Sequence, residues 1–369
     1  MTGFSFRTRV MAAGPALATM AILVTACASS GRVPRDYPGP RPFPAESVLT
    51  YCHDRRAMTD EFELLTDADD YRVYAVTLRI AGDAEDDPPI TFEFYEQKSG
   101  EAVPVAILLP ILNGQKNVMR PFANHFVGHG YAVIIVDTTQ RKTLLEDIVE
   151  PEPAILKTIE RHRRVIDWAE SRRDLDTSRL GVFGASLGGF NALFLTAVDN
   201  RVGVLSIALV GGSLADVLMA SDERRIVRAV EEAEHRLGMT DAELRAYLTE
   251  RIATEPLTLA PYLDANRVLM VLARFDNAVP FERQAALHEA MGRPRAITLP
   301  TGHGSAALYL FYLRARVREF FDEALRHPGV PVSTVPLPDA CRQGPQVSWR
   351  AVPAGAYTDA GCGKARPDL

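Results

Sequence analysis

The sequence predicts an α/β fold: a mostly parallel, doubly wound sheet with a small helical insertion. Two patterns support this prediction. Short, almost continuously apolar runs recur along the chain, as is typical of parallel strands that are buried on both faces. Amphipathic stretches of helical length separate these runs, and this alternation is the pattern of a doubly wound sheet. The chain is 47% hydrophobic, which is sufficient for the core of one large domain.

The individual elements follow from these patterns in chain order. Alternating apolar and polar residues predict an antiparallel pair of strands at 71–80 and 91–95, joined by an acidic turn. Helical periodicity predicts helices at 119–127 and 154–172. The apolar runs predict strands at 103–109, 131–136, 179–183, 204–209, 267–273 and 296–299.

A charged helical insertion at 213–264 interrupts the alternation. It predicts one helix at 222–237 and a second that begins at the capping box Thr240-x-x-Glu243. Insertions at the carboxyl edge of such sheets often border the pocket, so we expect this segment to be a cap. A helical hairpin without that role is the alternative.

The first 26 residues are predicted to be a signal peptide. Arg7 and Arg9 precede an apolar run at 11–23 that is too short to span a membrane. The run ends at Val24-Thr25-Ala26-Cys27, which resembles a bacterial lipobox. This resemblance implies cleavage before Cys27 and its lipidation, with several acyl chains that give stable anchoring. An ordinary secretory peptide cut near Ala26 or Ala28 is the alternative.

The cellular location follows from the same segment. Ala28, and not an aspartate, follows Cys27. By resemblance to lipoprotein sorting rules, this implies the bacterial envelope, on the periplasmic side of an outer membrane. A formal net charge of −6 argues against nucleic acid as a partner.

The segments on either side of the main domain at 49–328 are rich in proline. Residues 27–48 are predicted to be an extended tether, and residues 329–369 a Pro/Gly-rich tail. Cys341 and Cys362 lie in this tail, and a bridge between them is the simplest way to order it. Pairing of Cys52 with either one is the alternative. The C-x-x-C and H-E-x-x-H spacings do not occur, so neither a metal nor another cofactor is expected.

The clearest functional signal is Gly184-Ala185-Ser186-Leu187-Gly188, between an apolar strand and a predicted helix. A G-x-S-x-G sequence in this position predicts a sharp turn that exposes the serine hydroxyl at the carboxyl edge of the sheet. Asp276 follows one later strand, and His303 follows the next. A serine nucleophile needs a base, and the base needs an acid that fixes its tautomer. These three residues are therefore predicted to be nucleophile, acid and base.

Two alternatives concern the acid. Asp276 could be the N-cap of a helix that begins near residue 281, and Asp137, at the end of the strand at 131–136, could serve instead. The other seven histidines are interpreted as structural or solvated, with His162, His235 and His288 on polar helix faces. The remaining four are His53, His125, His129 and His327.

These motifs together resemble the α/β-hydrolase superfamily. Residues 176–189 are similar to its nucleophile region, and Asp276-x-x-Val279-Pro280 and Gly302-His303-Gly304 match its acid and histidine loops. The similarity is greatest to the dienelactone-hydrolase-like and acetyl-xylan-esterase-like branches, and it covers residues 100–326. It implies the α/β-hydrolase fold and a serine hydrolase, most often of esters. Dienelactone hydrolases themselves have cysteine where this chain has Ser186.

The oxyanion hole of such a site requires two backbone N–H groups. Leu187 is expected to supply one and the loop after Leu109 the other. Pro110 has no N–H group, so Ile111 or Leu112 is the candidate, and the Asn113 side chain is a further contributor. The His-Gly pair that is usual in this loop is absent here.

The predicted function is that of an envelope-anchored serine carboxylesterase that forms an acyl-enzyme on Ser186. Its substrate would be a small-molecule or polymer-linked ester. A peptidase of the prolyl-oligopeptidase-like type and a thioesterase share this triad order and remain alternatives. A non-catalytic lipoprotein that uses the scaffold for binding is the third.

Overall fold

The computed structural model describes residues 29–84, 87–112, 114, 116–137 and 148–336. Cys27, Asn113, Cys341 and Cys362 lie outside these residues. The ten strands are β1 (Ser29–Gly31), β2 (Met58–Asp67), β3 (Tyr71–Ile80), β4 (Ile90–Gln97), β5 (Val103–Leu109), β6 (Ala132–Val136), β7 (Leu175–Ala185), β8 (Val204–Ala208), β9 (Val268–Ala273) and β10 (Arg295–Leu299).

All ten strands form one sheet in the order β1-β10-β9-β8-β7-β5-β6-β4-β3-β2. The six central strands, from β10 to β6, are parallel to one another. β4, β3 and β2 continue the sheet in antiparallel fashion on one side, and β1 pairs antiparallel with β10 on the other. The carboxyl ends of β7, β9 and β10 therefore meet at one edge of the sheet, which we call the catalytic edge.

Helices cover both faces of this sheet. They are α1 (Lys116–Val127), α2 (Pro151–Ser171), α3 (Leu187–Val198), α4 (Leu214–Ala220), α5 (Arg224–Leu237), α6 (Asp241–Arg251), α7 (Pro256–Leu259), α8 (Phe281–Ala290) and α9 (Leu310–Ala324). α1 and α9 pack on one face through Phe126 and Phe321, whose ring centroids are 5.1 Å apart. α2 and α3 pack on the other face together with α4 to α7, which form the insertion. None of the described helices has the length and apolar character that crossing a membrane requires.

The predicted strands and helices agree with these elements to within a few residues, but two strands were missed. β2 is an edge strand whose side chains are almost all exposed, so it has no apolar face for a pattern to reveal. β1 has three residues, Ser29, Ser30 and Gly31, and among the described strands it pairs with β10. The predicted capping box of α6 is present: the Thr240 side chain accepts from Glu243 N–H, and the Glu243 carboxylate accepts from Thr240 N–H.

The proline-rich segment at 27–48 differs from a free tether where the structure describes it. Phe43 is buried, with its ring 5.0 Å from that of Tyr262. The Arg41 N–H donates to Pro261 O at 2.8 Å, and the Tyr37 hydroxyl donates to Leu263 O at 3.3 Å. The chain is extended there, as proline predicts, but aromatic side chains fix it to the domain. Cys52, which follows this segment, is disulfide-bonded.

Charged groups are buried beneath residues 51–57, which lead into β2 and which we call the entry segment; the sequence did not predict them. His53 Nε2 donates to Asp167 at 2.7 Å, and Arg201 pairs with both Asp167 and Asp199. Arg163, 4% exposed, contacts Asp199 at 3.0 Å. Burial opposes ionisation of Asp167, but hydrogen bonds from His53 and Arg201 outweigh it and lower its pKa to about 2.

His162 was placed on a polar helix face, and this is wrong. His162 is 3% exposed, because it lies seven residues after Ile155 and four before Ile166 and so shares the buried apolar stripe of α2. Burial, with a smaller contribution from the Arg161 charge, lowers the pKa of His162 to about 3.

Candidate active site

Ser186 occupies a strained turn between β7 and α3. Its backbone has φ 53° and ψ −126°, which is an unfavourable region for a residue with a side chain. The two flanking glycines are required because the backbone is crowded. A Cβ atom at Gly184 would lie 2.0 Å from Gly188 O, and one at Gly188 would lie 2.1 Å from Leu109 O. The Ser186 N–H donates to Ala208 O on β8 at 2.8 Å, which fixes the turn to the neighbouring strand.

The structure brings Ser186, His303 and Asp276 together at the catalytic edge. His303 Nε2 lies 2.9 Å from Ser186 Oγ, and His303 Nδ1 lies 2.8 Å from Asp276 Oδ2. The Asp276 side chain is fully buried, whereas that of His303 is 24% exposed. A neutral imidazole that donates from Nδ1 to Asp276 can accept the Ser186 hydroxyl proton at Nε2.

Asp137, the alternative acid, lies elsewhere. It follows β6, which is separated from β7 by β5, and its carboxylate is 3.1 Å from Lys116 Nζ. The N-cap alternative for Asp276 also fails, because Pro280 is the N-cap of α8. Asp276 Oδ1 instead accepts from the N–H groups of Ala278 and Val279, at 3.0 Å and 2.9 Å.

Gln284 on α8 supports Asp276 and was not predicted from the sequence. Its Nε2 donates to Asp276 Oδ2 at 3.1 Å and to Val279 O at 2.7 Å, and its Oε1 accepts from the Ala273 N–H at 3.0 Å. The side chain therefore joins the end of β9 to the acid loop, and the residue is fully buried. The sequence did contain one indication that Gln284 is buried: it lies three residues before Leu287, on the face of α8 that packs against the domain.

No family model matches the chain. Two curated Escherichia coli proteins, each described as an uncharacterised 31.7 kDa protein in the traX-finO intergenic region, are 32% identical to it over 135 residues. The match covers 34% of this chain and 43% of each relative, so the chain spans less than half the length of the relatives that it matches.

Solved structures match over a larger part of the chain. An acetyl xylan esterase from Paenibacillus sp. R4 superposes with a TM-score of 0.53 at 16% identity, over 76% of this chain and 100% of the esterase. Acetyl xylan esterase 1 from Thermoanaerobacterium sp. JW/SL YS485 gives 0.53 and 16%, over 77% and 99%. A 2,6-dihydroxy-pseudo-oxynicotine hydrolase gives 0.51 and 15%, over 75% and 72%. The chain has an α/β-hydrolase fold.

Within this hydrolase fold, the predicted oxyanion donors lie beside the turn that bears Ser186. Leu187 is the first residue of α3. At this end of the helix the N–H groups have no intrahelical partner, and the positive end of the helix dipole lies here. The loop after β5 packs against the same helix end, since a Cβ at Gly188 would lie 2.4 Å from Pro110 O. Ile111 and Leu112 follow directly in that loop and are partly exposed. The choice between them stays a prediction.

The insertion of the hydrolase fold borders a cleft beside the acid. The cleft has a volume of about 570 Å³ and is open to solvent. Ala220 and Asp222 from the insertion face residues 274–277 and 280–282 across it. The Asp222 N–H donates to Asn277 O at 3.3 Å, which joins the insertion to the acid loop. Of Ser186, His303 and Asp276, it is Asp276 that lines the cleft. In the described part of the chain, no group of three or more His, Cys, Asp or Glu side chains could hold a metal.

Proposed function

We propose that the protein is a serine hydrolase that cleaves carboxylic esters through an acyl-enzyme on Ser186. The observation that supports this most directly is the hydrogen-bonded series from Asp276 through His303 to Ser186, at 2.8 Å and 2.9 Å. The strained backbone at Ser186 is a second support, because such strain persists only where the surrounding structure imposes it.

The proposed reaction uses these residues in two half-reactions. Ser186 Oγ attacks the ester carbonyl carbon while His303 Nε2 takes its proton, and the buried Asp276 carboxylate stabilises the imidazolium. The Leu187 N–H and one from Ile111 or Leu112 bind the oxyanion of the tetrahedral intermediate. The ester C–O bond then breaks, and His303 gives its proton to the departing alkoxide. A water molecule, deprotonated by His303, hydrolyses the acyl-enzyme and restores Ser186.

One observation favours esters over amides and thioesters as substrates. Two of the structural neighbours are acetyl xylan esterases, which supports an ester without identifying the acyl group. The triad itself would serve all three substrate classes. A panel of p-nitrophenyl esters of rising acyl length, assayed beside p-nitroanilides and acyl-CoA, separates the esterase from the peptidase and the thioesterase.

The catalytic proposal is tested with Ser186→Ala and His303→Ala. Each should lower kcat/KM for the preferred ester by about 10,000-fold, and the double variant should lose little more, because the residues act as one unit. Ser178→Ala, at an exposed serine bonded to Asp176, is the matched control and should keep full activity. A fluorophosphonate probe should label the parent and the control but not Ser186→Ala. Esterase activity retained by Ser186→Ala with an intact fold would exclude the mechanism.

We also propose that Cys27 is the lipidated N-terminus of the mature protein and anchors it in the bacterial envelope. Metabolic labelling with a radioactive fatty acid should label the parent but not Cys27→Ser. Cys27→Ser should be released from membranes or accumulate as an unprocessed precursor. A serine variant that retains the label would overturn this part of the proposal, and it would leave the ester chemistry untouched. Fractionation of the envelope tests the expected outer-membrane location.

A further inference from the structure

Strand β1 determines where the N-terminal end of the described chain leaves the domain. Ser29 pairs with Thr298 and Gly31 with Ala296, so β1 runs antiparallel to β10. β10 ends at Leu299, four residues before His303. Ser29, the first described residue, therefore lies at the catalytic edge, on the side where His303 lies.

The position of Ser29 limits how far a lipid on Cys27 can lie from this edge. Two residues of fully extended chain span at most about 7 Å. A free tether of the length predicted from composition would let the domain diffuse well away from the membrane. With β1 paired to β10, an acylated Cys27 instead holds the catalytic edge directly at the bilayer surface.

Large apolar side chains are exposed at this same edge. Phe275, which precedes the catalytic acid, is 65% exposed, and Leu308 and Phe311, which follow His303, are each 69% exposed. Leu308 and Phe311 are three residues apart along a helical segment and so are neighbours on its surface. We call Phe275, Leu308 and Phe311 the apolar rim.

Arginine side chains accompany the apolar rim. The Arg314 guanidinium lies 4.5 Å from the centroid of the Phe311 ring. Arg274, adjacent to Phe275, lies 4.5 Å from the centroid of the Phe281 ring. Aromatic and aliphatic side chains beside cations suit the boundary between acyl chains and anionic headgroups. This surface therefore fits a lipid bilayer, and a lipid on Cys27 would place a bilayer next to it.

We propose that the catalytic edge rests on the bilayer that holds the acylated Cys27, with the apolar rim inserted at the level of the headgroups. The substrate is then an amphiphilic ester that enters the site from this bilayer. The inference rests on the proposed esterase activity for its substrate and on the proposed lipidation of Cys27 for its orientation.

The orientation is tested without reference to activity. The full-length protein, processed in a bacterial host, is reconstituted into phosphatidylcholine and phosphatidylglycerol vesicles with or without brominated acyl chains. The tryptophan added by Phe311→Trp should lose on the order of half its emission to the bromine atoms, as expected at interfacial depth. The matched control is Leu64→Trp on β2, 53% exposed and at the opposite end of the sheet. By strand register it lies level with Val182, three residues before the end of β7 and about 10 Å from the catalytic edge at about 3.3 Å per residue, so it should be quenched less than Phe311→Trp.

The substrate class is tested with a second pair of variants. Leu308→Ser/Phe311→Ser should lower the ratio of the rate on a vesicle-borne ester to that on a water-soluble ester by about tenfold or more. Leu64→Ser/Leu65→Ser, at two exposed positions of β2, should leave this ratio unchanged. Equal quenching at both tryptophans, or quenching in Leu64→Trp alone, overturns the orientation. If Phe311→Trp is quenched but neither ester is hydrolysed, the proposed orientation stands and the proposed esterase activity is excluded.

Discussion

Replacement of Gln284 by leucine provides a sharp test of how the triad is supported. Leucine has a similar volume but cannot form the three hydrogen bonds that the Gln284 amide makes to Asp276, Val279 and Ala273. The Ala273 N–H and the Val279 carbonyl would then be buried without these partners, at about 1–3 kcal/mol each. We therefore expect Gln284→Leu to lower the free energy of unfolding by about 2–6 kcal/mol.

The catalytic effect of the same substitution should be smaller than loss of a triad member. Asp276 keeps the N–H groups of Ala278 and Val279 and its contact with His303, so it remains in place but less firmly oriented. The loss of one hydrogen bond to a charged carboxylate, about 1.5–3 kcal/mol, corresponds to about a 10- to 100-fold fall in kcat. KM should change little, because Gln284 is fully buried and does not reach the substrate.

Two measurements on purified protein check this prediction. Urea unfolding at pH 7 gives the change in stability, and steady-state ester hydrolysis gives kcat and KM separately. Glu289→Gln, on the exposed face of α8, is the matched control and should alter neither. If Gln284→Leu kept kcat within about twofold and its stability within about 0.5 kcal/mol of the parent, Gln284 would have no role in positioning Asp276.

Three other predictions concern stability and covalent structure. Asp199→Ala leaves the buried Arg163 without its carboxylate and should cost about 3–5 kcal/mol in urea unfolding; a loss below about 1 kcal/mol would contradict the importance of this pair. The pKa of His162 is about 3 in the folded protein and about 6.5 in the unfolded chain. As the pH falls, the unfolded chain therefore binds this proton first, and the free energy of unfolding should decrease from about pH 6.5 toward pH 3. His162→Leu should reduce this slope, and an unchanged slope would count against it. Non-reducing peptide mapping should find Cys52 in a disulfide-linked peptide, and a free Cys52 thiol would contradict the structure.

The central fold could be predicted from the sequence because each central strand is indicated by its own residues, without reference to distant contacts. A strand buried on both faces needs apolar side chains at nearly every position, and β5, β6 and β9 show this directly in their residues. The grouping of Ser186, Asp276 and His303 at one edge could be predicted for a related reason. Ser186, Asp276 and His303 each follow such a strand, and parallel strands bring their carboxyl ends to one edge.

The elements that were missed depend on partners that are distant along the chain. The buried pair of His53 and Asp167 joins residues that are 114 positions apart, and no local pattern brings them together. Gln284 is one polar residue within a helix, and nothing in the spacing of α8 indicates that its amide reaches Ala273, eleven residues earlier. Hydrogen bonds of this kind are determined by tertiary contacts, which a local pattern does not encode.

The N-terminal segment shows how such a contact changes a functional conclusion. Its proline content predicts an extended chain, and a free chain of that length would allow the domain to approach substrates throughout the space beside a membrane. Three residues of pairing between β1 and β10, with the packing of Tyr37 and Phe43, remove this freedom. The same pairing places Ser29 at the edge where His303 lies. The short strand that composition could not reveal therefore determines which surface of the protein a lipid at Cys27 would bring to the bilayer.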